Sequence, residues 1–221
     1  MPTAAQAQNP SREAMVESQI RTADVTDLPL LRAFRQTPRE KFIPRAKRAL
    51  AYSDRTFEAD EGRFMIAPRD LAKMIKAAEI SASDVVLDLA PGRGYSTAIL
   101  AQIADTVIGV ETSQDAVDRA TELLIDVDVT NCAIVEGDLK SGAKEHGPFD
   151  VIFVNGAVSA VHEPWFVQLT DGGRLVCIVQ NGPIGQVMVY RKTGDVVASR
   201  IAFDTSAPFL PGFSPKPAFT L

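Results

Sequence analysis

The sequence predicts a doubly wound α/β fold: a mostly parallel sheet, a C-terminal antiparallel hairpin and an N-terminal helical cap. Three observations predict it. Apolar runs of strand length recur from residue 85 onward, separated by stretches with helical spacing. The first run, Val85–Leu89, is apolar except at Asp88, as in a strand covered on both faces. Ala90-Pro91-Gly92-Arg93-Gly94 and the helix-like Thr97–Ala104 follow it. A strand, a glycine turn and a helix together make a nucleotide-binding corner.

Taken in order, Met1–Pro10 is read as a disordered tail. Ser11 is expected to cap a helix running through Arg21, with Met15, Val16 and Ile20 at helical spacing. Asp27–Phe34 is read as a second short helix that Pro38 ends. The stretch from Arg39 past Asp54 is read as irregular, and Pro68 opens a third helix carrying Leu71, Met74 and Ile75. Strands are then expected at Val85–Leu89, Thr106–Glu111, Ala133–Asp138, Phe149–Val154 and Arg174–Val179, with a helix over Ser113–Ile125. Gln186–Lys192 and Val196–Phe203 flank Thr193-Gly194-Asp195, a hairpin turn signal. Four prolines bar regular helix or central strand from Ala207–Leu221. The divisions expected are a tail at 1–10, a helical cap and substrate segment at 11–80, a nucleotide-binding domain at 81–206 and a proline-rich tail at 207–221.

Composition excludes several classes. A chain of 221 residues with 46% apolar residues supports a sizeable core. A net charge of −5 argues against a dedicated nucleic-acid binder. The N-terminus lacks the basic and apolar regions of a signal peptide, and no apolar run approaches the ~20 residues of a membrane span. Cys132 and Cys177 lie in strand-like runs and read as reduced core thiols. The expected setting is cytoplasmic, with no nucleic-acid, membrane or metal partner. Oligomeric state is left open.

Three carboxylates carry the chemistry. Asp88, Glu111 and Asp138 fall at the ends of the first three expected strands. In a doubly wound sheet those ends line one crevice. A carboxylate after the second strand can accept both ribose hydroxyls of an adenosine, and one after the third can meet the adenine amino group. The alternative is that Glu111 and Asp138 cap the segments that follow them. His146 and His162 stand in loop-like contexts and are read as surface or packing residues.

An ordered series of segments then resembles a known family. Met15–Ile20, Thr37-Pro38-Arg39-Glu40-Lys41-Phe42-Ile43-Pro44, Ala51-Tyr52-Ser53-Asp54, Gly147–Ile152, and Gln168-Leu169 with Gly172–Val176 are similar to segments of the protein-L-isoaspartate O-methyltransferases, a class I, Rossmann-like family. The resemblance spans about residues 15 to 192. It implies S-adenosyl-L-methionine as cofactor, methyl transfer to a carboxylate of isoaspartyl residues in damaged proteins, and hence a protein or peptide substrate and a role in protein repair. It implies a cofactor set of Asp88, Ala90, Gly92, Gly94, Tyr95, Glu111 and Asp138. The substrate side is Arg63, Phe64, Ile66 and Asn155. No catalytic base is needed, because a carboxylate with an unperturbed pKa of about 4 is already ionised at neutral pH.

Two departures stand against the pattern. The first glycine of the family's turn is Ala90, followed by Pro91. The family's polar segment before the third helix reads Gly62-Arg63-Phe64-Met65-Ile66-Ala67-Pro68, with Ile66 in place of the serine that helps hold the substrate carboxylate. Arg63 is the expected compensating partner for an anion. The rival readings are a methyltransferase with another acceptor and a non-catalytic relative that binds the cofactor. A nicotinamide-dependent oxidoreductase is a weaker rival, since its fingerprint favours a glycine where Thr97 stands.

Overall fold

The structure, a computed structural model, describes residues 9–215. Met1–Gln8 and residues 216–221 lie outside the described residues, and with them most of the expected N-terminal tail. The first helix, α1 (Pro10–Met15), opens earlier than expected. Its cap is Asn9, whose side chain accepts from the Ser11 amide, rather than Ser11 itself. Pro10 explains the difference: its fixed φ suits the first helical position, so the cap falls one residue before it. A π turn at Val16–Ile20 and a 3₁₀ turn at Arg21–Ala23 continue α1. Helix α2 (Leu28–Gln36) is capped by Asp27. The stretch read as irregular contains two 3₁₀ turns and a hairpin of β1 (Phe57–Asp60) and β2 (Arg63–Met65). Helix α3 (Pro68–Ala78) follows.

The nucleotide-binding part comprises β3 (Val85–Leu89), α4 (Tyr95–Leu100), β4 (Thr106–Glu111), α5 (Gln114–Ile125), β5 (Cys132–Glu136), β6 (Phe149–Val158), α6 (Glu163–Val167), β7 (Leu169–Val179), β8 (Gln186–Thr193) and β9 (Val196–Asp204). Seven strands form one sheet in the order β5-β4-β3-β6-β7-β8-β9. The first five run parallel, and β8 and β9 close the sheet as the expected antiparallel hairpin. The chain winds outward from β3 in one direction, then returns to place β6 on its other side. The switch point therefore lies between β3 and β6, where a doubly wound sheet opens its crevice.

The sheet is covered on both faces. On one side Val86, Val151 and Phe153 pack with Phe34, Phe42, Tyr95 and Ile99 from the cap and α4. On the other, Leu87, Leu89, Ile152 and Val154 pack with Trp165, Leu139, Leu210 and Phe213. Two-sided burial is why these strands read as continuous apolar runs rather than alternating ones. The proline-rich segment is irregular, as expected, but it is not loose. Phe209 bridges to Ala157, and Leu210 and Phe213 are buried.

Candidate cofactor crevice

The crevice is built by the turn after β3. Gly92 and Gly94 adopt φ of +61° and +90°, the left-handed region that glycine enters freely. Ala90 also lies there, at φ +59°, at a cost of roughly 1–2 kcal/mol for a residue with a Cβ. Its amide donates to the Val110 carbonyl at 3.1 Å, tying the turn to β4.

Glu111 ends β4, fully buried, and faces this turn. Its Oε1 accepts from the Gly92 amide at 2.7 Å and from Arg63 Nε at 2.8 Å. Its Oε2 accepts from Arg63 Nη2 at 2.7 Å and from the Thr112 amide at 3.2 Å. Arg63 comes from the β1–β2 hairpin and is itself buried. A cavity of about 530 Å³ opens beside the pair, bordered by Asp60, Gly92, Ser113, Arg119 and Pro211. Asp60 binds Arg93 at 3.3 Å and Arg119 at 3.1 Å at its rim.

Asp88 lies deeper, with no exposed surface. Its Oδ2 accepts from the Ser96 hydroxyl at 2.8 Å and the Thr97 hydroxyl at 2.7 Å, and its Oδ1 from the Asn155 amide. Among the described residues no cation pairs with it. Burial therefore outweighs the three neutral donors and pushes its carboxyl up to about 7, with the negative Glu111 adding to the rise.

The structure brings Asp88, Ala90, Gly92, Gly94, Glu111, Arg63 and Asn155 together, and it places the remaining expected residues elsewhere. Asp138 lies beyond the end of β5, exposed. Its carboxylate accepts from the Lys140 amide and the Ser141 hydroxyl, which hold its pKa below the usual range. Leu139, rather than Asp138, borders the cavity. The Tyr95 ring points to the cap face, against Phe42 at 5.7 Å and under the Arg39 guanidinium at 4.8 Å. Only its backbone stands at the turn. Arg63 was expected to meet a substrate anion. It meets Glu111 instead, and the two charges compensate each other where both are withdrawn from water. Ile66 is core, and its carbonyl accepts from Arg39 at 2.7 Å. Phe64 is half-buried in β2. The Asn155 amide turns inward to Asp88.

The comparisons decide the family. The family model for protein-L-isoaspartate(D-aspartate) O-methyltransferase matches residues 10–211. The chain belongs to the protein-L-isoaspartate O-methyltransferase family. A protein-L-isoaspartate O-methyltransferase of Methanoculleus marisnigri is 39% identical over 168 residues, covering 76% of either chain. One from Pelobacter propionicus is 38% identical over 165 residues, covering 75% of this chain and 73% of its own. Among solved structures, a protein-L-isoaspartate O-methyltransferase superposes with a TM-score of 0.80 at 24% identity, over 90% of this chain and 65% of its own. One from Plasmodium falciparum, in complex with S-adenosyl-L-homocysteine, gives a TM-score of 0.77 at 20% identity, over 91% of this chain and 98% of its own. At such identities the two structures speak for the fold. The family is one of S-adenosylmethionine-dependent methyltransferases, as the sequence motifs imply.

The residues present fit a nucleoside. A carboxylate ends the strand beside the first, a glycine turn brings backbone amides to it, and a cavity adjoins both. Among the described residues, Arg63 is the side chain that competes for the same carboxylate. Two features went unforeseen: this partner, and the buried C-terminal segment. The basic residue at 63 beside a glycine was the only signal for the first. The apolar residues Phe209, Leu210 and Phe213 among the prolines were the only signal for the second.

Proposed function

We propose that this chain is an S-adenosylmethionine-dependent O-methyltransferase that esterifies a carboxylate on a protein or peptide, an isoaspartyl carboxylate first among the candidates. The observation that carries the proposal is Glu111 at the end of β4, beside the Gly92 amide and an open cavity, in a chain matched by the family model almost throughout. When bound, the cofactor supplies an electrophilic methyl group on a sulfonium, which a carboxylate oxygen takes up as an ester while the electron pair of the broken C–S bond remains on sulfur.

The chain's own residues hold and orient. Glu111 is the acceptor for a ribose diol, and the Gly92–Gly94 turn lets backbone approach the ligand. Asp88 braces the turn through Ser96, Thr97 and Asn155. The acceptor carboxylate is ionised at neutral pH, so the protein's task is to exclude water and align an oxygen with the methyl carbon. Repair of damaged proteins in a reducing cytoplasm is the cellular role this reading implies, in keeping with two unpaired cysteines. No helix among the described residues is long and apolar enough to cross a membrane.

One observation favours a second reading, a different acceptor. The segment preceding α3 presents Phe64, Ile66 and Ala67 where the family carries polar groups, and its cation, Arg63, is engaged by Glu111. A desolvated carboxylate placed there lacks its hydrogen bonds. Incubation with methyl-labelled S-adenosylmethionine and an isoaspartyl peptide tests the proposal. Base-labile methyl ester is the expected product. Label appearing only on other acceptors would establish the second reading.

A further inference from the structure

Two segments from opposite ends of the chain converge on the crevice. From the N-terminal side, the Arg63 guanidinium lies against Glu111 through Nε and Nη2, leaving the pair almost wholly buried. With the Gly92 and Thr112 amides, four donors meet the carboxylate's two oxygens. A carboxylate offers about four lone-pair sites, so nothing remains for a ribose diol while Arg63 stays.

From the C-terminal side, Ala207–Phe213 lies across the ends of β3 and β6. The Ala157 amide donates to the Pro208 carbonyl at 3.1 Å, the Leu210 amide to Ala157 at 3.0 Å and the Ser159 amide to Phe213 at 2.9 Å. Leu210, 1% exposed, shares a cluster with Leu89, Ala90 and Leu139 and presses on Gly156, where an added Cβ would stand 2.7 Å from it. Phe213 stacks on Trp165 at 5.9 Å. The two segments also meet each other. A Cβ added at Gly62, next to Arg63, would stand 2.5 Å from Pro211. The strap thus covers the switch point, where the part of a dinucleotide-type ligand beyond its ribose belongs.

We propose that Arg63 and the strap Ala207–Phe213 form an internal latch on the cofactor crevice, Arg63 occupying on Glu111 the place of the ribose hydroxyls. The inference rests on the cofactor reading above. The described conformation is the latched one, and cofactor binding requires Arg63 to leave Glu111 and the strap to lift from β6. The affinity for the cofactor is then the intrinsic affinity reduced by the fraction of unlatched molecules. Arg63 is a positioning residue, acting through Glu111.

The test is calorimetric titration of the full chain with S-adenosylhomocysteine, wild type against Arg63→Gln. Glutamine keeps one neutral hydrogen bond to Glu111 but gives up the charge and the bidentate fork. The variant should bind at least tenfold more tightly. Amide exchange at Ala157, Ser159 and Leu210, read in the wild-type protein under saturating S-adenosylhomocysteine, is independent of whether the variant folds. It should accelerate, which a merely structural strap would not show. Equal affinities, or unchanged exchange on binding, would overturn the latch and leave the cofactor reading intact. No binding by either protein would overturn both.

Discussion

Asp88→Asn should change how stability depends on pH, because Asp88 is a fully buried carboxyl held by neutral donors rather than by a cation. Three neutral donors stabilise its charged form, and burial together with Glu111 opposes them. The carboxyl titrates near 7 in the fold against about 3.8 in the unfolded chain. Between these values the folded protein holds a proton that the unfolded chain has lost, so stability falls as pH rises from about 4 to 7 and levels off above. At ~1.4 kcal/mol per factor of ten, the full penalty is about 4 kcal/mol, of which roughly 2.5 develops between pH 5 and pH 8. Asparagine carries no such penalty. Its amide donates to Ser96 or Thr97, whose hydroxyls rotate to accept. Urea unfolding of both proteins at pH 5, 6, 7 and 8 isolates the effect, since other titrating groups such as Asp138 cancel in the difference. The variant should gain on the wild type by roughly 2.5 kcal/mol across that range. A difference that stays flat would mean that the Ser96, Thr97 and Asn155 bonds outweigh burial and that Asp88 is ionised throughout.

Ala90→Gly should raise stability by about 0.5–1 kcal/mol in thermal melts, because it relieves a non-glycine residue at φ +59°; the greater flexibility of glycine in the unfolded chain offsets part of the gain. A loss would show that the Ala90 methyl's packing near Leu139 and Leu210 is worth more than the strain. Arg39→Met should destabilise by about 2–4 kcal/mol in urea titrations, since the buried guanidinium donates to the Ala51 and Ile66 carbonyls at 2.8 and 2.7 Å; a neutral result would mean that both carbonyls find other donors. Ile66→Ser with Ala67→Gln and Phe64→Thr should raise label transfer to an isoaspartyl peptide while lowering stability by roughly 2–4 kcal/mol, Ile66 being core. Unchanged transfer at saturating cofactor would remove this segment from the acceptor site.

The sheet was legible because burial on both faces writes each central strand as an apolar run, and the position of Glu111 at the crevice because an acid closing such a run marks the strand's end. What the sequence left hidden has physical causes. Arg63 and Glu111 are joined only when a hairpin folds over the glycine turn, and the hairpin's own strands are four and three residues long, too short for a period-two pattern to register. Asp138 lies two residues past β5, where a small difference in strand end decides between facing a crevice and closing a turn. Tyr95 begins α4, and the face its ring takes is set by Phe34, Phe42 and Arg39, residues far earlier in the chain. The prolines of the C-terminal segment exclude helix and central strand, yet they do not prevent Leu210 and Phe213 from docking as side chains on a preformed surface.

Three parts of the chain meet at the turn after β3. Ala90 stands in the turn, Arg63 lies on Glu111 beside Gly92, and Leu210 packs with Leu89 and Ala90 and presses on the end of β6. The energetics favour their acting together. A buried Glu111 stripped of Arg63 would be an uncompensated charge, which typically costs about 3–5 kcal/mol, so the carboxylate requires a partner of its own or a ligand that supplies one. Arg63 in turn reaches Glu111 only because Gly62, at φ +64°, turns β2 inward beneath Pro211. On the latch proposal, the strap, the hairpin and Glu111 therefore open or close as one unit, and the occupancy of Glu111 reports which.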